Sequence, residues 1–200
     1  MTADADTYTL GLLADFTVRP LAGFLANESS APACRPILGP FDQVASTLLA
    51  PTGAFQDGVP EGLLVWTRPE VVSPTFRRVT NAETVEHEDA LGEVDAFAAT
   101  VRSAAAHVSW IALPAWTLPA AYVGYGPLDL RPGLGTRHLL RRMNLALAQH
   151  LADQENIFVL DPQRWLAANE PEEAARLWYQ AKIPYSLSVF ARAADDIQAL

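Results

Sequence analysis

Two polar residues, Asp15 and Thr17, stand where an apolar segment starting at Thr9 gives way to a predicted helix beginning near Val18. Pro20 suits the first turn of that helix, because the N–H groups there have no intrahelical partner. A strand-to-helix turn at the carboxyl end of a first strand is where α/β folds place their ligands. Thr17 is therefore a candidate nucleophile, and both residues are candidate polar contacts for a ligand. Position alone also allows a plainer role, in which Asp15 caps the helix.

Lys182 is the only lysine among the 14 basic residues of the chain. A lysine ammonium is a compact charge with a tunable pKa, so it is a candidate catalytic group where the arginine fork would not serve. Tyr179, Tyr185 and Ser186 flank it and are candidate ligand contacts. The alternatives are a surface lysine lying along apolar side chains and a serine that caps the last helix.

Asn144 lies four residues after Leu140 and three before Leu147, so it borders the buried face of its predicted helix. A polar amide at such a position needs hydrogen-bond partners. Two interpretations are open, namely an anchor for a loop backbone and a direct ligand contact. The histidines are not spaced as metal ligands and Cys34 has no second cysteine, so we expect no metal and no cofactor.

Short apolar segments alternating with helical patterns must position these residues. The predicted strands cover residues 9–15, 34–38, 62–67, 108–113 and 157–160. The predicted helices begin near Val18, after a cap at Asp42, and cover 88–106, 136–153, 171–183 and the residues from 186 onward. Residues 68–83 are predicted to be irregular and residues 114–135 to form a long loop. This alternation predicts an α/β fold, with a five-stranded parallel sheet in a three-layer α/β/α arrangement.

Composition limits the class of protein. Two hundred residues, half of them hydrophobic, suit one domain over residues 1–200. A net charge of −9 argues against general nucleic-acid or anionic-membrane binding. Residues 103–128 carry no formal charge, but Pro114, Pro119 and Pro127 would break a membrane-spanning helix. We expect a cytoplasmic protein.

Three segments and two single residues carry a resemblance to a known family. They are residues 13–21 (LADFTVRPL), 38–44 (LGPFDQV) and 177–186 (LWYQAKIPYS), with Asn144 and Asp161. Together they resemble the N-terminal, SGNH-hydrolase-like domain of FkbH-like proteins. The resemblance implies an SGNH-like (flavodoxin-like) fold and a role in polyketide-type natural-product biosynthesis, where the family loads a glyceryl unit onto a carrier protein. It also implies that this chain lacks the HAD-type domain of most members.

The same resemblance exposes a departure from SGNH hydrolases, which carry a serine nucleophile in a Gly-Asp-Ser motif and a late Asp-x-x-His. Here Phe16 stands at the serine position, and Arg164 follows Asp161 where a histidine would stand. Acyl transfer through serine needs both groups, so ordinary Ser-His-Asp hydrolysis is not expected. Gly39 is retained and would offer an oxyanion-hole N–H, and the resemblance places Phe16, Gly39 and Gln43 near the ligand.

Two further features concern partners. Arg131, Arg137, Arg141 and Arg142 cluster in an otherwise acidic chain, and such a patch would steer an acidic acyl carrier protein. The alternative is a solvated helix face. Trp116, Tyr122 and Tyr125 lie in the apolar loop after the fourth strand, at the sheet edge where ligands bind, so Trp116 is a candidate ligand contact. The three residues would form a lid, a protein interface or simply buried packing.

Two functions follow as hypotheses. The first is a binding module that holds a carrier-tethered acyl or glyceryl intermediate, or a partner enzyme, without hydrolysing it. The second is an acyl hydrolase or acyltransferase with a rebuilt catalytic site formed by Asp15, Thr17, Asn144 and Lys182.

Overall fold

Five parallel strands form one sheet in the order β2-β1-β3-β4-β5. The computed structural model describes residues 7–26, 33–56, 58–118, 122 and 124–200. The strands in this part of the chain are β1 (Thr7–Ala14), β2 (Ala33–Leu38), β3 (Gly62–Trp66), β4 (Trp110–Pro114) and β5 (Ile157–Leu160). Leu12 is in register with Leu38 on one side and with Leu64 on the other. The predicted parallel sheet is confirmed, although β1 begins two residues earlier and β4 two residues later than predicted.

Helices cover both faces of the sheet. They are α1 (Arg19–Leu25), α2 (Val44–Leu49), α3 (Pro51–Ala54), α4 (Pro69–Val72), α5 (Pro74–Thr80), α6 (His87–Ala105), α7 (Thr136–Leu151), α8 (Gln163–Leu166), α9 (Pro171–Ala181) and α10 (Leu187–Gln198). A short 3-10 helix, Gly126–Leu128, interrupts the predicted long loop.

Successive residues of a strand point to opposite faces, so β3 contributes to two separate cores. Leu63 and Val65 pack on one face, whereas Leu64 and Trp66 pack on the other. The first core draws its side chains from α2, α5, α6 and α7, and the second from α1, α8 and α10. Burial on both faces explains why β3 is apolar throughout.

Two local predictions are wrong. Residues 68–83 contain α4 and α5, each of which begins at a proline, Pro69 or Pro74, where a missing N–H costs nothing. Ser73 also caps α5, because its Oγ accepts a hydrogen bond from the N–H of Phe76 at 2.9 Å. Asp42 does not cap α2, since it has φ of 57° and the helix begins after Gln43 without a side-chain cap.

Within the part of the chain that the structure describes, no helix combines the length and apolar character that crossing a membrane requires. The uncharged segment considered in the sequence instead contains β4 and the start of the loop after it. Pro119 of that segment lies outside the described residues.

Candidate functional site

A cleft of about 260 Å³ opens at the carboxyl edge of the sheet. Its walls come from the segments that follow β3 and β4, and from α9 with the link to α10. The described lining residues are Arg68, Glu70, Thr117, Leu118, Pro171, Ala174, Ala175, Trp178, Pro184 and Tyr185. The strand order reverses direction between β1 and β3, and parallel sheets bind ligands at such a switch point.

Asp15 directly follows β1 and fixes Arg68 in the cleft wall. Its two carboxylate oxygens accept hydrogen bonds from the backbone N–H of Arg68 at 2.8 Å and from the Arg68 Nε at 3.0 Å. The Asp15 side chain is only 1% exposed. Burial raises the pKa of Asp15, and the hydrogen bonds from Arg68 oppose that rise. Asp15 therefore does not cap α1, which begins after Val18 without a side-chain cap.

Glu70 extends this ion pair along the cleft wall, because α4 places it two residues after Arg68. Its Oε1 accepts a hydrogen bond from the Arg68 Nη1 at 3.3 Å. Its other oxygen, Oε2, is buried and accepts no hydrogen bond from any residue that the structure describes. The cleft wall and the floor beneath it thus combine two carboxyl groups with one guanidinium group.

Trp178 of α9 supplies an aromatic wall that contacts two cations. The Arg68 Cζ lies 4.8 Å from the centre of its ring and the Lys182 Nζ lies 5.1 Å from it. Both distances are within the range of a cation–π contact.

Tyr185 brings a phenol to the cleft beside Thr117. The two hydroxyl oxygens are 2.9 Å apart and share a hydrogen bond. The ring of Tyr185 stacks on Trp66, with 5.4 Å between centres. Burial raises the pKa of Tyr185, and the charges of Glu70 and Asp15 raise it further. The hydroxyl is therefore a neutral hydrogen-bond donor at any ordinary pH.

Phe16, which the resemblance aligns with the serine nucleophile of SGNH hydrolases, is part of the core. It is 1% exposed and makes edge-on contacts with Trp66 and Tyr185, with ring centres 5.7 and 6.2 Å away. An apolar ring packed in this way supports the cleft from below and offers no nucleophile.

Lys182 and Thr17 join the two turns beside the cleft. The backbone N–H of Thr17 donates to the carbonyl of Lys182 at 3.0 Å. Lys182 ends α9 in the left-handed conformation with φ of 56°, and its side chain is exposed. Asp15 is connected to Lys182 only indirectly, through Arg68 and the ring of Trp178. Thr17 is connected to Lys182 by this backbone hydrogen bond. No described hydrogen bond joins the side chains of the three residues.

Asn144 anchors a loop backbone, which is one of the two roles that its position in the sequence left open. Its Oδ1 accepts from the N–H of Trp116 and its Nδ2 donates to the carbonyl of the same residue, both at 2.8 Å. Trp116 is buried, and its Nε1 donates to the Thr67 Oγ1 at 2.9 Å. Asn144 therefore holds the start of the segment that brings Thr117 and Leu118 to the cleft.

Gly39 and Gln43 lie outside the cleft walls that the structure describes. The N–H of Gly39 donates to the carbonyl of Leu12 at 2.9 Å, so it is not directed at an oxyanion. A Cβ at this position would collide with the Leu13 side chain, which explains the glycine by close packing. Gln43 has an exposed side chain at the start of α2.

Ser186 and Tyr179 do not line the described cleft either. Ser186 is fully buried, and its Oγ accepts from the N–H of Glu170 at 3.1 Å and bonds the Ser188 hydroxyl at 2.9 Å. It precedes α10 but makes no side-chain capping bond to that helix. Tyr179 is 88% exposed on α9.

The four arginines of the basic cluster divide into two pairs. Arg137 contacts Asp129 at 3.3 Å and Arg142 contacts Glu88 at 2.7 Å. Arg131 and Arg141 are exposed to solvent. Asp129 also accepts a hydrogen bond from the backbone N–H of Tyr125 at 3.1 Å.

Tyr122 is also bound to Asp129, because its hydroxyl donates a hydrogen bond to the Asp129 Oδ1 at 3.1 Å. This aromatic residue is therefore joined to the loop that precedes α7. Together with Tyr125 it is held by Asp129 and does not line the described cleft.

Sequence reasoning missed Arg68, Glu70 and Trp178 as cleft residues. Arg68 and Glu70 directly follow β3, so their place after an apolar strand was a usable signal. Trp178 lay inside the 177–186 segment but was not singled out there.

No histidine is among the described residues that line the cleft. All four lie on α6, α7 or the turn after α6: His87, His107, His138 and His150. Along the described carboxyl edge of the sheet, no hydrogen bond joins a serine or threonine hydroxyl to any of them. The described residues also contain no group of three or more acidic, histidine or cysteine side chains that could hold a metal ion.

The parallel sheet, its strand order and the helices on both faces define an SGNH-like α/β fold. Two solved structures share this architecture at low sequence identity. One is the N-terminal part of the protein BF1531 from Bacteroides fragilis, which contains a phosphatase domain and was complexed with magnesium. The TM-score is 0.71 at 13% identity, covering 96% of this chain and 50% of that one. This chain thus spans half the length of that structure.

The other similar structure is a putative lipolytic protein of the G-D-S-L family from Desulfitobacterium hafniense. It aligns with a TM-score of 0.51 at 13% identity, over 96% of this chain and 98% of that one. No protein-family model and no curated protein sequence matches the chain. The similarity therefore concerns the fold.

Proposed function

We propose that this domain binds an acyl group, presented as a thioester on an acidic carrier protein of polyketide-type biosynthesis, and does not hydrolyse it. The observation that carries the proposal is an open cleft at the carboxyl edge of the sheet, taken with the resemblance that aligns the buried Phe16 with the nucleophile. A hydrolase of this fold needs a hydroxyl and an imidazole at that edge, whereas Phe16 is packed against Trp66 and Tyr185.

The chemistry of the cleft suits a short acyl chain. Leu118, Ala174 and Trp178 offer apolar contact, and Tyr185 offers a hydroxyl to a carbonyl oxygen. A volume of about 260 Å³ is many times what one water molecule needs, so we choose a six-carbon acyl chain as the probe.

The alternative of a rebuilt hydrolase receives no support from the contacts. The Asn144 amide is hydrogen-bonded to the Trp116 backbone, and the Asp15 carboxylate accepts hydrogen bonds from Arg68. Neither group is arranged to activate Thr17.

The test is a calorimetric titration with the hexanoyl thioester of N-acetylcysteamine. Ala175 is an exposed residue of α9 that lines the cleft, so Ala175→Trp should obstruct the cleft without disturbing the core. We expect saturable binding to the unmodified protein and at least about tenfold weaker binding by Ala175→Trp.

The matched control is Arg176→Trp, which places the same side chain at the next exposed position of α9, outside the described cleft walls. This variant should bind like the unmodified protein. The absence of binding, or equal binding by the Ala175 and Arg176 variants, would refute the proposal.

A further inference from the structure

The Glu70 carboxylate is the one polar group of the described cleft whose bonding is incomplete. Its Oε1 has only the 3.3 Å contact with Arg68, and its Oε2 is buried without a hydrogen-bond donor among the described residues. Buried acceptors without a donor are rare and costly. Because the terminal torsion of a glutamate is broad, a modest rotation can present this oxygen to a ligand in the cleft.

The charges around the cleft define what kind of donor suits it. Arg68 already gives its backbone N–H and Nε to Asp15, so one guanidinium group serves two carboxyl groups. The hydroxyls of Tyr185 and Thr117 share one hydrogen bond with each other. Two carboxyl groups thus share one guanidinium group, and a cationic donor would compensate the second of them.

The aromatic wall of the cleft, formed by Trp178, also favours a cationic group. The aromatic face of Trp178 attracts cations, as its contacts with Arg68 and Lys182 show. Lys182 is exposed at the end of α9 and does not line the described cleft, so it does not supply the missing donor.

On these grounds we infer that the cleft selects an acyl group whose far end carries a primary ammonium group, which donates to Glu70. The inference rests on the proposed acyl-binding function and specifies its substrate class. The acyl chain lies along Trp178 and Ala174.

Four ligands, each with a six-carbon chain, test the end group. They are stable amide analogues of the N-acetylcysteamine thioester, in which nitrogen replaces sulfur, carrying hexanoyl, 6-hydroxyhexanoyl, 6-aminohexanoyl or adipoyl chains. Calorimetry on the full chain at neutral pH should show the aminohexanoyl compound binding about tenfold tighter than the hexanoyl compound. The adipoyl compound, whose end is a carboxylate, should bind weakest.

The variant Glu70→Gln removes the negative charge and should reduce the preference for the ammonium end to near unity. Glu155→Gln is the matched control, because Glu155 is exposed in the turn before β5 at the opposite edge of the sheet. It should keep the preference. Because the four ligands are compared on the unmodified protein, the test does not depend on how well Glu70→Gln folds.

Each other outcome is decisive. Equal or tighter binding of the hexanoyl, hydroxyhexanoyl or adipoyl compound would overturn the ammonium inference while leaving acyl binding in place. A preference for the ammonium end that survives Glu70→Gln would overturn the role of Glu70. Binding of none of the four would remove the proposed function together with this inference.

Discussion

Asp15 and Arg68 form the contact on which the cleft depends, and they are 53 residues apart in the chain. The place of Asp15 after a strand predicted either a ligand contact or a helix cap but not its partner, because local roles are all that one segment can reveal. The partner becomes apparent only when β1 and β3 are known to be neighbours. Asn144 shows the same limit, since the sequence indicated that its amide needed partners without identifying the Trp116 backbone.

The raised pKa of Asp15 predicts a pH effect on stability. Burial outweighs the hydrogen bonds from Arg68, so the folded protein holds the Asp15 proton more tightly than the unfolded chain does. This contribution to stability is complete below the unfolded pKa and is lost as the pH rises through the folded pKa. The stability of the unmodified protein relative to Asp15→Asn should therefore fall as the pH rises from about 4 toward neutrality.

Urea unfolding of both proteins across that range measures the difference in free energy of unfolding. Asp153→Asn, at an exposed position after α7, is the control for the loss of one carboxyl group outside the cleft. A difference for Asp15→Asn that grows as the pH rises would mean that the attraction to Arg68 outweighs burial.

At the level of elements, long apolar or periodic segments were predictable and short helices were not. The five strands and α6, α7, α9 and α10 follow from hydrophobic pattern, because burial on the sheet dictates it. The helices α4 and α5 have four and seven residues, too few to show a period, and their prolines suggested irregular structure. Yet α4 is the element that places Glu70 in the cleft.

The link between α9 and α10 also depends on a backbone conformation that its sequence does not favour. Lys182 has φ of 56°, a region that costs a residue with a Cβ roughly 1–2 kcal/mol. We therefore expect Lys182→Gly to be about 1 kcal/mol more stable than Lys182→Ala.

Both variants lose the ammonium group beside Trp178, so the comparison isolates the backbone. Thermal and urea unfolding of the two proteins measure it. Equal stability of the two variants would show that the left-handed turn is not a constraint in solution. If both bind acyl ligands like the unmodified protein, the Lys182 side chain is not needed in the cleft.

At the scale of the whole molecule, a chain with net charge −9 carries an arginine-rich face at the start of α7. Arg141 is exposed there, and an acidic carrier protein would be attracted to it. The variant Arg141→Glu should weaken binding of a carrier protein about tenfold or more at low salt, mainly through a slower association rate.

Arg192→Glu is the matched control, since Arg192 is an exposed residue of α10 away from that face. Surface plasmon resonance at low and physiological salt measures both variants. The same loss in both would indicate a response to net charge alone, and no loss in either would exclude this face as the docking site.

The central claim is that this fold keeps an acyl cleft without the groups that cleave esters. The most direct measurement is the fate of a hexanoyl thioester of N-acetylcysteamine held at saturating concentration with the protein, followed by mass spectrometry and thiol release. We predict that the thioester is recovered intact, at the rate of loss seen in buffer. Thiol release that depends on the protein and is suppressed by Ala175→Trp would contradict the account, because it would show that the cleft performs hydrolysis.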